Sequence, residues 1–164
     1  MTVSTTTIKN SYSGNGSTTA FSYTFKVFAS SEIKVIVRTD STGSESVRAE
    51  GSGSTNYAVS GVGDTAGGTV TFVTAPASGE TVVILRDTEL TQATDYQPAD
   101  PFPAESHEDA LDKLTHIVQE VQEEVDRSFK VSRTNSITTP EFTDDASTRA
   151  SKLLGFSSDG NSLE

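Results

Sequence analysis

The chain has 164 residues with a formal net charge of −11 at pH 7, 33% of them apolar and 21% charged, and it holds 23 Ser and 24 Thr; so few core-forming residues argue against a large enzyme core and against an all-helical bundle. Only 12 Lys and Arg face 23 Asp and Glu, with no basic cluster, so nucleic acid is repelled. No cysteine is present, which removes disulfides, zinc–thiolate sites and thiol catalysis, and no apolar run reaches the length of a membrane span.

From the first residues on, Met1–Ile8 has neither a basic n-region nor an apolar h-region, so it is not read as a signal peptide. Residues 1–103 then read as short strands. Phe21, Tyr23, Phe25 and Val27 alternate with Ser22, Thr24 and Lys26, and Ile33, Val35 and Val37 alternate with Lys34, Ile36 and Arg38. A period of two sends one row to a core and the other to water. A turn is expected at Asp40–Gly43. Residues 43–54 are too rich in Ser and Gly to assign. Tyr57 with Val59 gives another strand, and Val70, Phe72 and Thr74 the next, followed by a tight connection over Ala75–Gly79. Val82–Leu85 is apolar on both faces and is expected to be a central strand covered twice. Turn signals spaced about ten residues apart predict a small β-sandwich or partly open barrel.

Residues 94–103 contain three prolines and read as an extended lead-in. A helical pattern then runs from Ala104 to Lys130 without Gly or Pro, a rod of roughly 40 Å. Glu105, Glu108, Asp109 and Asp112 sit in its first turns, where the helix dipole favours negative charge. In a heptad frame Leu111, Val118 and Val125 occupy a, Leu114 and Val121 occupy d with Ser128, and Ile117 falls at g. The opposite face, with Glu120, Glu123, Glu124 and Asp126, reads as solvated acid. Two readings stand: an amphipathic helix on its own β domain, or a short coil between subunits. The acidic face favours the coil, and the heptads alone do not fix the number of chains. Residues 132–164 read as an irregular tail, with Ile137–Pro140 extended, one or two helical turns over Asp144–Lys152 and a loop at Ser157–Ser162. Ending on a loop suggests a linker toward a downstream module or a chain end.

Motifs for chemistry are missing. His107 and His116 are nine residues apart on one helix, about 900° of rotation, and point to opposite sides, so they cannot share a metal. No G-x-S-x-G element anchors a Ser-His-Asp triad, Gly61-Val-Gly63 lacks the third glycine of a dinucleotide loop, and adjacent acidic pairs such as Glu123–Glu124 diverge by about 100°. No catalytic residue, cofactor or metal site is expected. One alternative is a carbohydrate-binding β-sandwich using Phe21, Tyr23, Tyr57 and Tyr96 as a stacking patch, although the alternating row makes Phe21 and Tyr23 core residues.

An ordered series of short motifs narrows the choice: Ala20-Phe-Ser-Tyr-Thr-Phe25, Asn56-Tyr-Ala-Val-Ser-Gly-Val-Gly63, Gly67-Gly-Thr-Val-Thr-Phe72, Pro76-Ala-Ser-Gly-Glu-Thr-Val-Val-Ile-Leu-Arg86 with Thr88, Thr91-Gln-Ala-Thr-Asp-Tyr96 and Glu108-Asp-Ala-Leu-Asp-Lys-Leu114. Over roughly residues 18–130 this resembles the amino-terminal particle-binding domain of tail fibres and tailspikes of short-tailed phages. The closing Ala150-Ser-Lys-Leu-Leu-Gly-Phe156 resembles the junction before varied downstream modules. The resemblance implies a non-enzymatic virion protein of the tail, assembled in the host cytoplasm. It implies a homotrimer with a tail-anchoring β domain over 1–103, which docks on the tail hub or on adaptor or nozzle proteins. A coiled-coil stem over 104–131 is implied too, with Leu111, Leu114, Ile117, Val118, Val121 and Val125 at the trimer contact and a downstream fibre or tailspike as a further partner.

Overall fold

The computed structural model describes residues 3–96, 102–130 and 134. Seven strands are formed among them: β1 (Lys9–Ser13), β2 (Ala20–Tyr23), β3 (Ile33–Thr39), β4 (Glu45–Arg48), β5 (Tyr57–Ser60), β6 (Gly68–Phe72) and β7 (Glu80–Arg86), followed by one helix, α1 (Ala104–Arg127). They make two antiparallel sheets, one ordered β1-β7-β3-β4 and the other β2-β6-β5. The expected extended lead-in falls partly, and the expected turns of the tail wholly, outside the described residues.

The alternating rows do what a period of two requires. Phe21, Tyr23, Phe25 and Val27 are buried with Ile33, Val35, Val37, Val70, Phe72, Val82 and Ile84 in a single core between the sheets. Phe25 and Val27 complete the row from a loop, because β2 ends at Tyr23. Two buried tyrosines use their hydroxyls: Tyr57 ties the two sheets by donating to the Ile33 carbonyl of β3 at 3.0 Å, and Tyr23 donates within its own sheet to the Ser60 carbonyl of β5 at 2.8 Å. Each hydroxyl thus keeps a hydrogen-bond partner although its ring is buried.

β7 is interior to its sheet, between β1 and β3. Its two faces are unequal: Val82, Ile84 and Arg86 are buried, whereas Val83 and Leu85 are only half-buried. The strand is thus central but fully covered on one side. The turn at Asp40 closes with Gly43 N–H donating to the Thr39 carbonyl at 2.8 Å. β1 and β4 had no apolar alternation to announce them, and both lie at sheet edges, where one row of backbone pairing and little burial suffices.

Gly67 and Gly63 separate conformation from space. Both have positive φ, +85° and +83°, but a Cβ on Gly67 would lie 2.0 Å from the Tyr23 carbonyl oxygen, while one on Gly63 would meet nothing within 4 Å. Both substitutions by Ala carry the left-handed penalty of about 1–2 kcal/mol; only Gly67→Ala must also push β2 away from its neighbour. The unfolding free energy from urea titration should fall further for Gly67→Ala, by about 2 kcal/mol beyond Gly63→Ala. Equal losses would show that the close approach is unimportant.

Candidate functional site: a helix with its apolar face outward

The end of β7 determines how α1 sits. Arg86 continues the buried row of Val82 and Ile84, so its guanidinium is taken out of water with a fully covered side chain. Such a charge needs a partner. Glu120 of α1 supplies it: Arg86 Nε donates to Glu120 Oε1 at 2.7 Å. The same carboxylate accepts from the Thr88 amide at 2.9 Å and from the Thr88 hydroxyl at 2.6 Å. Arg86 Nη2 donates to Gln119 Oε1 at 2.8 Å. Burial lowers the Arg86 pKa, and the Glu120 hydrogen bond and charge oppose that loss.

A second cluster lies toward the start of the helix. Lys26, in the loop after β2, reaches Asp109 at 3.1 Å and Asp112 at 3.3 Å. Burial disfavours the Lys26 charge, but hydrogen bonds to both aspartates outweigh it and raise its pKa. The N-terminal segment adds contacts: Val3 N–H donates to Asp112 at 3.2 Å and Gln119 donates to the Thr5 carbonyl at 2.9 Å. Lys9 of β1 pairs with Glu123 at 3.0 Å. Between the two clusters lies His116, wholly buried against Phe28 at 5.4 Å between ring centroids. Neither of its ring nitrogens has a hydrogen-bond partner among the described residues. Burial first, then the Arg86 charge, lowers its pKa to about 4.

The face of α1 against the sheets is therefore its charged face. At about 100° per residue, Asp109, Asp112, His116, Gln119, Glu120 and Glu123 occupy one side, and Leu111, Leu114, Val118 and Val121 lie opposite. These four are 51%, 59%, 67% and 53% exposed. A globular helix turns its apolar stripe to its own core; α1 does the reverse. The compact unit holding the sheets extends through Glu124, and the second unit begins at Val125, itself exposed.

Of the residues expected at a trimer contact, Leu111, Leu114, Val118, Val121 and Val125 are exposed, while Ile117 is half-buried at the flank. The acidic face was expected to be solvated. Instead Glu120 and Glu123 are held by Arg86 and Lys9. The signal that could have found this is Arg86 itself, a charge closing an otherwise apolar strand. The two histidines do diverge: His116 is buried, and His107 is exposed beside Tyr96 and Phe102. Phe21, Tyr23 and Tyr57 are at most 5% exposed, so they offer no face for stacking a sugar.

No family model matches the chain. It is similar to the tail spike protein of Salmonella phage epsilon15, with 39% identity over 123 residues. The match covers 74% of this chain and 11% of that protein, so the chain spans about a ninth of the relative's length. The chain is thus a partial homologue of a phage tail spike protein.

Two measurements test the polar interface. Glu120→Ala would leave the Arg86 guanidinium buried without its carboxylate and is expected to cost about 3 kcal/mol in urea unfolding. Lys9→Ala, which breaks a pair that is 45% and 25% exposed, should cost under about 1 kcal/mol; equal costs would mean that the Arg86 pair is no better buried than a surface one. For His116 the folded pKa lies below the ordinary 6.5, so the unfolded chain takes up the proton first. The stability tied to neutral His116 is complete above about pH 6.5 and drains away as pH falls toward 4, on the order of 3 kcal/mol in all. His116→Leu should flatten the stability profile in that window, and an unchanged slope would remove His116 as its cause.

Proposed function

We propose that the chain is a structural component of a phage virion tail, the anchoring module of a tail fibre or tail spike, and that it works as a parallel homotrimer without catalytic activity. The observation that carries this reading is the inverted helix. Leu111, Leu114, Val118 and Val121 form an exposed apolar strip, while the charged face is already engaged by the same chain. Exposed apolar strips at heptad spacing are covered by other chains. The strip continues at Val125 in sequence, and Ile117 at g would contact the strip's flank. Similarity to a tail spike protein supports the placement in the tail.

In this reading the sheets dock on the tail hub or on adaptor or nozzle proteins, and the helices collect three chains so that a fibre or spike downstream inherits three-fold symmetry. The edge strand β4, with Val47 63% exposed, the turns that flank it near Gly43 and Gly51–Gly53, and the loop Gly61–Gly67 supply backbone groups for such docking.

Light scattering of the full chain in solution should give three times the 17.3 kDa chain mass. Val118→Asp would place three carboxylates on the axis, where like charges and desolvation together cost several kcal/mol per trimer, and should yield monomer. A Val118→Asp chain that keeps the trimer mass would show that this face is not the contact. Release of reducing ends from host polysaccharide by the full chain would refute the non-enzymatic part.

A further inference from the structure

We propose that the trimer carries a site for a divalent transition-metal ion, of the Zn²⁺ or Ni²⁺ class, built on the three-fold axis from the His107 imidazoles of three copies. This rests on the homotrimer reading. In the frame that puts Leu114 and Val121 at d, the preceding d position is His107, one heptad before Leu114, and Ala104 takes the preceding a. Symmetry repeats whatever stands near the axis three times. A chain with no group of three metal-binding side chains among its described residues can therefore still build such a group on assembly.

His107 is prepared for this in the single chain. Its Nδ1 lies 3.0 Å from the Tyr96 hydroxyl, and its ring packs 5.1 Å from Phe102, which stacks on Tyr96 at 6.1 Å. When Nδ1–H donates to that hydroxyl, the lone pair stands on Nε2, the arrangement that metal-binding histidines take from an outer partner. Nε2 has no hydrogen-bond partner among the described residues. Histidine at a d layer is a poor substitute for Leu unless something polar meets it there, since an unsatisfied imidazole nitrogen in a closing seam costs a hydrogen bond. A metal ion meets three at once, at about 2.0–2.1 Å from each nitrogen, and leaves a fourth tetrahedral position for water. Imidazole suits Zn and Ni, whereas Mg and Ca prefer oxygen ligands. The protein's net charge of −11 per chain favours a dication further.

The test is calorimetric titration of the untagged full chain with ZnCl₂ and with NiCl₂, with the mass of the same samples measured by light scattering. The expected result is one ion per three chains in a trimeric sample. His107→Ala should retain the trimer and bind at least 100-fold more weakly. Tyr96→Phe, which removes the positioning hydroxyl but keeps the rings, should bind about 10-fold more weakly with the mass unchanged. A trimer that takes up no ion, or whose uptake survives His107→Ala, overturns the metal site and leaves the structural reading standing. A chain that stays monomeric with or without metal overturns both, and one ion bound per monomer overturns the axial site.

Discussion

A guanidinium at the end of an apolar strand sets the orientation of the whole helix. Arg86 follows Val82 and Ile84 into the core side of β7, and a buried cation is tolerable only with a carboxylate and further acceptors around it. Glu120 and Gln119 accept from Nε and Nη2, and Thr88 donates to the same Glu120 carboxylate, while Nη1 has no partner among the described residues. Once Glu120 points inward, helical geometry turns the residues about half a turn away outward, and those are Leu111 and Val118, with Leu114 and Val121 beside them. Lys26 on Asp109 and Asp112 repeats the constraint one and a half heptads earlier, so the rotation is fixed at two heights.

Such an interface is specific more than it is strong. Pairing buried charges roughly offsets their desolvation, and the apolar strip on the other side is left in water, which disfavours the isolated chain. In the proposed trimer, covering the strip with further copies would recover apolar burial at about 25 cal/mol per Å², while the charged face keeps each helix in one register on its own sheets. An all-apolar contact between helix and sheets would have been tighter, but it would have competed with the strip for the same residues.

Much of the sandwich was legible because its core strands alternate. Phe21, Tyr23, Ile33, Val35 and Val37 needed only a period of two, and the turn at Asp40 and the connection before Glu80 were marked by turn-forming residues. β1 and β4 were illegible for a physical reason: Lys9–Ser13 and Glu45–Arg48 are edge strands with mostly exposed residues, so no apolar pattern was required of them. The heptad frame of α1 was also readable. The acidity of the opposite face already favoured an outward apolar strip; what the sequence alone did not reveal was that the chain engages that acidic face itself. Amphipathicity states that two faces differ, and the usual assumption assigns the apolar one to the chain's own core. Recognising the acidic face as the engaged one needed the partner charges Arg86, Lys26 and Lys9, which lie 34, 83 and 114 residues from their acids.

That placement changes the electrostatics expected of an assembled stem. Residues 104–131 carry a net charge of −5 per chain, counted from the sequence, and three helices side by side would repel if those carboxylates were all solvated. Asp109, Asp112, Glu120 and Glu123 are instead neutralised by cations of the same chain's sheets and loops. The acid on the helix is a docking surface for its own domain and not a fringe around a coil. In the proposed trimer, charge repulsion between copies would thereby be reduced, and the face left over for other chains is the one with the least charge to bury.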